Sequence, residues 1–169
     1  KLLTENIKRL LNPNGILIIE VPYLPVMLDS GTVDLVYHEH LSYFSLTPLI
    51  KFFSSADMEI FRVDTIETHG GSMRILVQHK GGGWFVEDSV SICLSKEKYL
   101  SDPSTYHEFR HKIVSMVDKF KLDVESIKSR GLVVSGYGAP AKASTLLRLA
   151  SLDSRTLSYI VDDNGLKQG

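Results

Sequence analysis

The chain has 169 residues, 43% hydrophobic and 23% charged, with a formal net charge of -1. That composition is ordinary for a soluble globular protein, and the near-neutral charge leaves no electrostatic footprint for nucleic acid. No apolar run approaches the roughly 18 residues that a membrane helix needs, and the single cysteine, Cys93, excludes an internal disulfide or a cysteine-built zinc site.

The length suits one medium domain or two small ones. Cys93 reads as a small apolar residue, and a reducing, cytoplasmic setting is the expectation. The first residue is Lys1 rather than methionine, so the native N-terminus is expected to lie upstream.

Leu2, Leu3, Ile7, Leu10 and Leu11 recur at helical spacing and predict a helix over residues 1–12. Asn12-Pro13-Asn14-Gly15 breaks it. Ile16-Leu17-Ile18-Ile19 is a continuous apolar run, the pattern of a central parallel strand buried on both faces. Pro22 ends it. Residues 23–43 lack a clean period and read as a polar and aromatic loop. Thr47 is placed as an N-cap and Pro48 as the first residue of a short helix with Leu49, Ile50, Phe52 and Phe53 on its apolar face.

Met58–Ile66 and Met73–His79 read as two strands of a hairpin, joined by a turn containing Gly70 and Gly71. Gly81-Gly82-Gly83 reads as a linker, which divides the chain into residues 1–80 and 81–169. Tyr106, Phe109, Ile113, Met116, Phe120, Val124 and Ile127 mark one face of a long helix that Gly131 ends. Leu132-Val133-Val134 is expected to be a buried strand, Ala141–Ala150 a helix and Leu157–Val161 a further buried strand. The two strands should be parallel, because a helical crossover joins them. The fold class is α/β throughout.

Three constellations could carry chemistry. Tyr37-His38-Glu39-His40-Leu41-Ser42-Tyr43-Phe44 gathers ionisable and aromatic groups beyond a strand end, where open α/β sheets bind ligands. Such a loop can perform general acid–base work, or its histidines can simply hydrogen-bond. A His-Glu-x-x-His zinc motif would need histidine at position 42, where Ser42 stands, so no metal site is expected. Gly136-Tyr137-Gly138-Ala139-Pro140-Ala141 follows a strand and opens a helix with G-x-G-x-x-A spacing. Gly136 would make the turn, Gly138 would admit a phosphate, and the helix N-terminus with Lys142 would face an anion. Asp162 stands close to the position, about 20 residues on, of a ribose-binding acid. The plain alternative is a tight turn without a ligand. His69-Gly70-Gly71-Ser72-Met73-Arg74 sets an arginine beside a glycine turn, able to grip a phosphate or carboxylate, although a hairpin needs the glycines anyway.

Leu10-Leu11-Asn12-Pro13-Asn14-Gly15-Ile16-Leu17 resembles the passage into a late strand of a class I methyltransferase domain. Tyr37–Ser45, His69–Arg74, Gly136–Lys142 and Asp162-Asp163-Asn164, with Lys167-Gln168-Gly169 after it, occur in an order that resembles the sugar-nucleotide C-methyltransferases of branched deoxysugars. The resemblance covers nearly the whole chain. It implies the second half of a class I methyltransferase Rossmann-like domain, followed by a smaller, partial Rossmann-like domain that binds substrate. It also implies S-adenosylmethionine as cofactor and a nucleotide-linked keto-deoxysugar as substrate. Family members carry an N-terminal zinc-binding domain and a glycine-rich cofactor loop that this sequence lacks, so the chain is expected to be an inactive C-terminal fragment.

By the same resemblance, His40 would be the base, Glu39 would orient it, and Tyr37 would steady an enolate oxygen. His38, Tyr43, Gly70, Gly71, Ser72, Arg74, Gly136, Gly138, Lys142 and Asp162 would contact the substrate. The rival readings are a dinucleotide-binding oxidoreductase domain and a nucleotide-binding module without catalysis. Neither nucleic acid nor membrane is expected as a partner, and the sequence leaves the oligomeric state open.

Overall fold

The computed structural model describes residues 2–38, 40–67 and 70–168. The chain forms two compact units: Lys1–Ser30 with Ser42–Tyr106, and Gly31–Leu41 with His107–Gly169.

In the first unit, helix α1 (Leu2–Leu10) precedes strand β1 (Leu17–Pro22), and helix α2 (Leu24–Ser30) follows at once. Helix α3 (Leu46–Ser54), strand β2 (Met58–Ile66), strand β3 (Ser72–His79) and helix α4 (Asp88–Lys96) complete it. The sheet order is β1-β3-β2, with β3 antiparallel to both neighbours. This overturns the expectation of a central parallel strand for Ile16–Ile19. β1 pairs antiparallel at the sheet's edge, and its residues alternate, with Ile18 and Glu20 exposed. A strand hydrogen-bonded on one side only need not be apolar on both faces.

Met73, Ile75 and Val77 from β3, Met58 from β2 and Leu46 from α3 have no exposed surface, and Phe53 and Tyr23 pack with them. Each such side chain contributes about 1.5–3 kcal/mol by its burial. A bulge between Ile60 and Arg62 lets Ile60 and Phe61 both turn inward. Gly71 has φ +120°, and a Cβ there would lie 2.3 Å from Val26 Cγ1. The hairpin glycine is therefore needed for α2 to seat.

Helix α2 was not legible in the sequence. It has seven residues, and Pro25 is among those it buries, with Met27 and Leu28. Helix α4 went unread as well. The Gly81–Gly83 stretch is not an open linker. Gly82 N–H donates to His79 O, Gly81 N–H donates to Glu59 Oε1, and the Gln78 side chain bonds both Trp84 N and Trp84 O. Trp84 stacks on Phe61 with centroids 5.9 Å apart. The first unit therefore runs on through α4 to Tyr106.

Thr47 is not the N-cap of α3. The helix begins at Leu46, with Ser45 at the cap position and no cap bond from the Ser45 side chain. Its free N–H groups go instead to Glu97, just past α4, whose carboxyl accepts from Leu46 N–H, from Thr47 N–H at 2.8 Å and from Thr47 Oγ1 at 2.7 Å. Glu97 is 3% exposed.

The second unit is built on helix α5 (Pro103–Ser129). Ile113, Val117 and Val124 from α5 form its core with Ala150 and Leu152. Met116 and Phe120, expected on the buried face, are partly exposed, and Val117 takes the inner position. Strand β4 (Gly136–Tyr137), helix α6 (Ala143–Leu149) and strand β5 (Ile160–Val161) follow. β4 and β5 are parallel, as the crossover required. Leu132–Val134 is not a strand, since pairing starts at Gly136 and leaves Leu132 and Val133 largely exposed. β5 is shorter than expected, and Ile160 and Val161 are exposed rather than buried. Among the described residues each strand has one neighbour, so little backbone is paired.

Replacement of Glu97 tests the cap. Glu97→Ala leaves two backbone N–H groups and a hydroxyl without their partner in a buried setting and should cost about 2–3 kcal/mol. Glu97→Gln keeps one acceptor and should cost about 1 kcal/mol. Urea unfolding of the two variants against the parent chain measures both.

Candidate functional site

After α2 the backbone passes into the second unit at Gly31. A short 3-10 turn (Val33–Leu35) then sets up the residues singled out from the sequence. Val33 packs on the core around Ile113 and Val117. Asp34 Oδ2 pairs with Lys142 Nζ at 2.7 Å. Val36 O accepts from Thr145 Oγ1 at 2.9 Å. Three successive grips thus fix the approach to Tyr37.

Tyr37 opens a turn that closes when His40 N–H donates to Tyr37 O at 3.0 Å. The turn brings the Tyr37 and His40 rings to 4.9 Å between centroids, tilted by 32°. His38 meets the Tyr37 ring edge-on at 5.6 Å. Glu39 and His69 lie outside the described residues. Tyr43 belongs to the first unit, where burial raises its hydroxyl above the ordinary value. The eight-residue cluster of the sequence is therefore divided between units.

The glycine loop lies in the same unit as Tyr37 and His40. Gly136 pairs with Ile160, and Gly138 N–H donates to Val161 O at 2.6 Å. Gly138 has φ +86°, yet a Cβ there would meet nothing nearer than Pro140 Cδ at 3.7 Å. Its glycine is required by conformation rather than by space. Helix α6 starts at Ala143, two residues later than expected, and Ala143 N–H donates to Pro140 O. The first free N–H of the helix is thus spent on the loop itself.

Asp162 closes the same loop from the other side. Its Oδ2 accepts from Ala139 N–H at 2.6 Å and its Oδ1 from Asn164 N–H at 2.8 Å. Lys167 Nζ lies 3.4 Å away. These bonds, with Ala139 first, hold its carboxyl below the usual range. Lys142 is raised, chiefly by its hydrogen bond to Asp34 and then by the charge of Asp34, and Tyr37 adds a smaller push. An apolar pocket of about 410 Å³ opens here, lined by Gly136, Tyr137, Gly138 and Leu146, with Asp34 and Lys142 at its polar side.

The remaining candidates lie in the first unit. Gly70 and Gly71 form the hairpin turn, both with positive φ. Ser72 is buried at the start of β3. Arg74 stands opposite Glu20 and Asp64 in the sheet register and donates to Glu20 Oε2 at 2.9 Å through Nη2. Among the described residues no group of three histidine, cysteine, aspartate or glutamate side chains could hold a metal ion. Asp34, Thr145 and Glu97 were missed in the sequence, because an isolated acid or threonine carries no signal until its partner is placed.

Gly138→Val should destabilise the second unit by about 1–3 kcal/mol through its left-handed backbone, and Gly138→Asn should cost less because asparagine tolerates that region. Thermal unfolding of the two variants ranks them. Asp162 adds a pH signature. Its folded pKa lies below the unfolded value of about 3.9, so its contribution is complete above that value and is lost as pH falls through the folded one. Asp162→Asn should therefore lower Tm at pH 7, and the gap from wild type should narrow as pH falls below the unfolded value of about 3.9.

Residues 67–169 match the family described as C-methyltransferase C-terminal domain. Over 167 residues the chain is 33% identical to C-methyltransferase NovU from Streptomyces niveus, a match covering 98% of this chain and 40% of that protein. The chain thus spans well under half the length of that curated relative. With a parallel β4–α6–β5 unit carrying the glycine loop, and with that match over residues 67–169, the chain belongs to the C-methyltransferase C-terminal domain family.

Proposed function

We propose that the full-length enzyme transfers a methyl group from S-adenosylmethionine to a carbon next to a ketone in a nucleotide-linked keto-deoxysugar. The observation that carries this reading is the packing of Tyr37 on His40, in the same unit as the Gly136–Ala141 loop. Carbon is a poor nucleophile, and a neighbouring ketone makes its C–H acidic enough for a protein base. His40 takes that proton, and the electron pair of the C–H bond moves into the enolate. Tyr37 donates a hydrogen bond to the enolate oxygen. Glu39 orients His40 or holds a sugar hydroxyl. His38 and the half-buried backbone at Gly136 and Gly138, all in the second unit, take part in holding the sugar nucleotide.

The described residues do not fit a cradle for S-adenosylmethionine. At the carboxyl end of β1, Tyr23 N–H donates to Gly71 O, Leu24 N–H donates to Phe44 O, and Tyr23 Oη bonds Cys93 Sγ at 3.2 Å. These groups are already paired within the first unit rather than open to a cofactor. We assign the first unit, residues 1–30 with 42–106 rather than 1–80, to the closing half of a methyltransferase domain, a reading supported by the β1-β3-β2 order with its antiparallel middle strand. The second unit, residues 31–41 with 107–169 rather than 81–169, is assigned to substrate binding. The oxidoreductase alternative loses its main support, because the carboxyl of Asp162 is spent on Ala139 and Asn164 rather than open to a ribose. A cytoplasmic setting fits the buried thiol of Cys93, and no helix among the described residues is long and apolar enough to cross a membrane.

In the full-length enzyme, His40→Ala should abolish methyl transfer from labelled donor while leaving sugar-nucleotide affinity within about threefold by calorimetry. Wild-type turnover in that variant removes His40 from the base role. The chain of residues 1–169 should show no micromolar affinity for S-adenosylmethionine in the same calorimeter, and NADH should not bind either. Tight binding of NADH would favour the oxidoreductase reading.

A further inference from the structure

The first-turn end of α6 reaches the segment before Tyr37 at two points. Lys142 Nζ meets Asp34 Oδ2 at 2.7 Å, and Thr145 Oγ1 donates to Val36 O at 2.9 Å. The two grips fall three residues and one residue before Tyr37, whose carbonyl then receives His40 N–H. Asp34 and Lys142 are both partly exposed, at 34% and 47%. An ion pair in such a place adds little to stability, typically 0–1 kcal/mol, so a role in stability alone explains it poorly. What it does fix is direction. The backbone of 34–36 cannot rotate without breaking a charged bond and a hydroxyl bond at the same helix, and Tyr37 continues directly from that backbone.

We propose that Asp34, Lys142 and Thr145 are positioning residues, which hold the Tyr37–His40 pair in register with the glycine loop so that base and enolate stabiliser act on one substrate. The proposal rests on the assignment of His40 and Tyr37 given above. It reassigns Lys142 from gripping a substrate anion to gripping Asp34. The energetic logic is that of preorganisation: a displacement of about 1 Å at a reacting group can cost on the order of 100-fold in rate with little effect on binding.

The test uses the full-length enzyme with labelled methyl donor and separates kcat from KM for the sugar nucleotide. Asp34→Asn and Lys142→Met should each lower kcat by about 10- to 100-fold and leave KM within about threefold. The exchanged pair, Asp34→Lys with Lys142→Asp, should recover much of the loss. Thr145→Val, nearly isosteric, should lower kcat in the same sense and provides a check if the charge variants fold poorly by circular dichroism. An unchanged kcat in Thr145→Val and Asp34→Asn overturns the proposal. A rise in KM of tenfold or more in Lys142→Met, with Asp34→Asn unaffected, also overturns it and makes Lys142 an anion ligand. His40→Ala is run beside them. If it turns over normally, the base assignment has failed. If it is inactive while Asp34→Asn and Thr145→Val are normal, only the positioning role has failed.

Discussion

The segment Gly31–Leu41 leaves the first unit after α2, packs in the second, and returns at Ser42. Its residues are an excursion from one unit built into the core of the other. Val33 is held by apolar packing, Asp34 by an ion pair and Val36 by a hydroxyl. The return is held just as firmly. Tyr23 and Phe44 form a parallel bridge, Leu24 N–H donates to Phe44 O, and Glu97 caps α3 two residues further on. Within the second unit, Asp34 and Val36 thus fix the approach to Tyr37.

The two anchors differ in kind. Glu97 is almost wholly buried, and each of its acceptor bonds satisfies a donor that would otherwise be orphaned. The Asp34–Lys142 pair is open to water and contributes orientation more than stability. The glycine loop follows the same economy. Asp162 ties Ala139 and Asn164 together, and Ala143 N–H returns to Pro140, so the loop is shaped by its own bonds before any ligand arrives.

Much of this was legible in the sequence where a period extends over many residues. Met58–Ile66 was bounded correctly from its composition and the glycines after it, and the long helix was found from Ile113, Phe109 and Val124. Shorter elements were not. Seven residues of α2, with a proline buried in them, give no period to read. Leu132–Val134 looked like a strand because apolar runs signal burial, but burial in a sheet needs a neighbour, and the pairing starts later. Gly81–Gly83 looked like a linker because local composition cannot reveal that Gln78 and Glu59 clamp it. In the site, residue types pointed to Tyr37, His40 and the glycine loop. Their partners Asp34 and Thr145 were invisible, since an ion pair between distant positions exists only once the fold is made.

The central claim is that His40 removes a proton from a carbon next to a ketone, with Tyr37 beside it. Deuterium exchange into the keto-sugar nucleotide tests this without the methyl-transfer step. In deuterium oxide, with full-length enzyme and no methyl donor, the account predicts that the hydrogen next to the ketone is replaced far faster than in the enzyme-free control, and that His40→Ala reduces the rate to that of the control. Exchange equally fast in the wild type and in His40→Ala would contradict it.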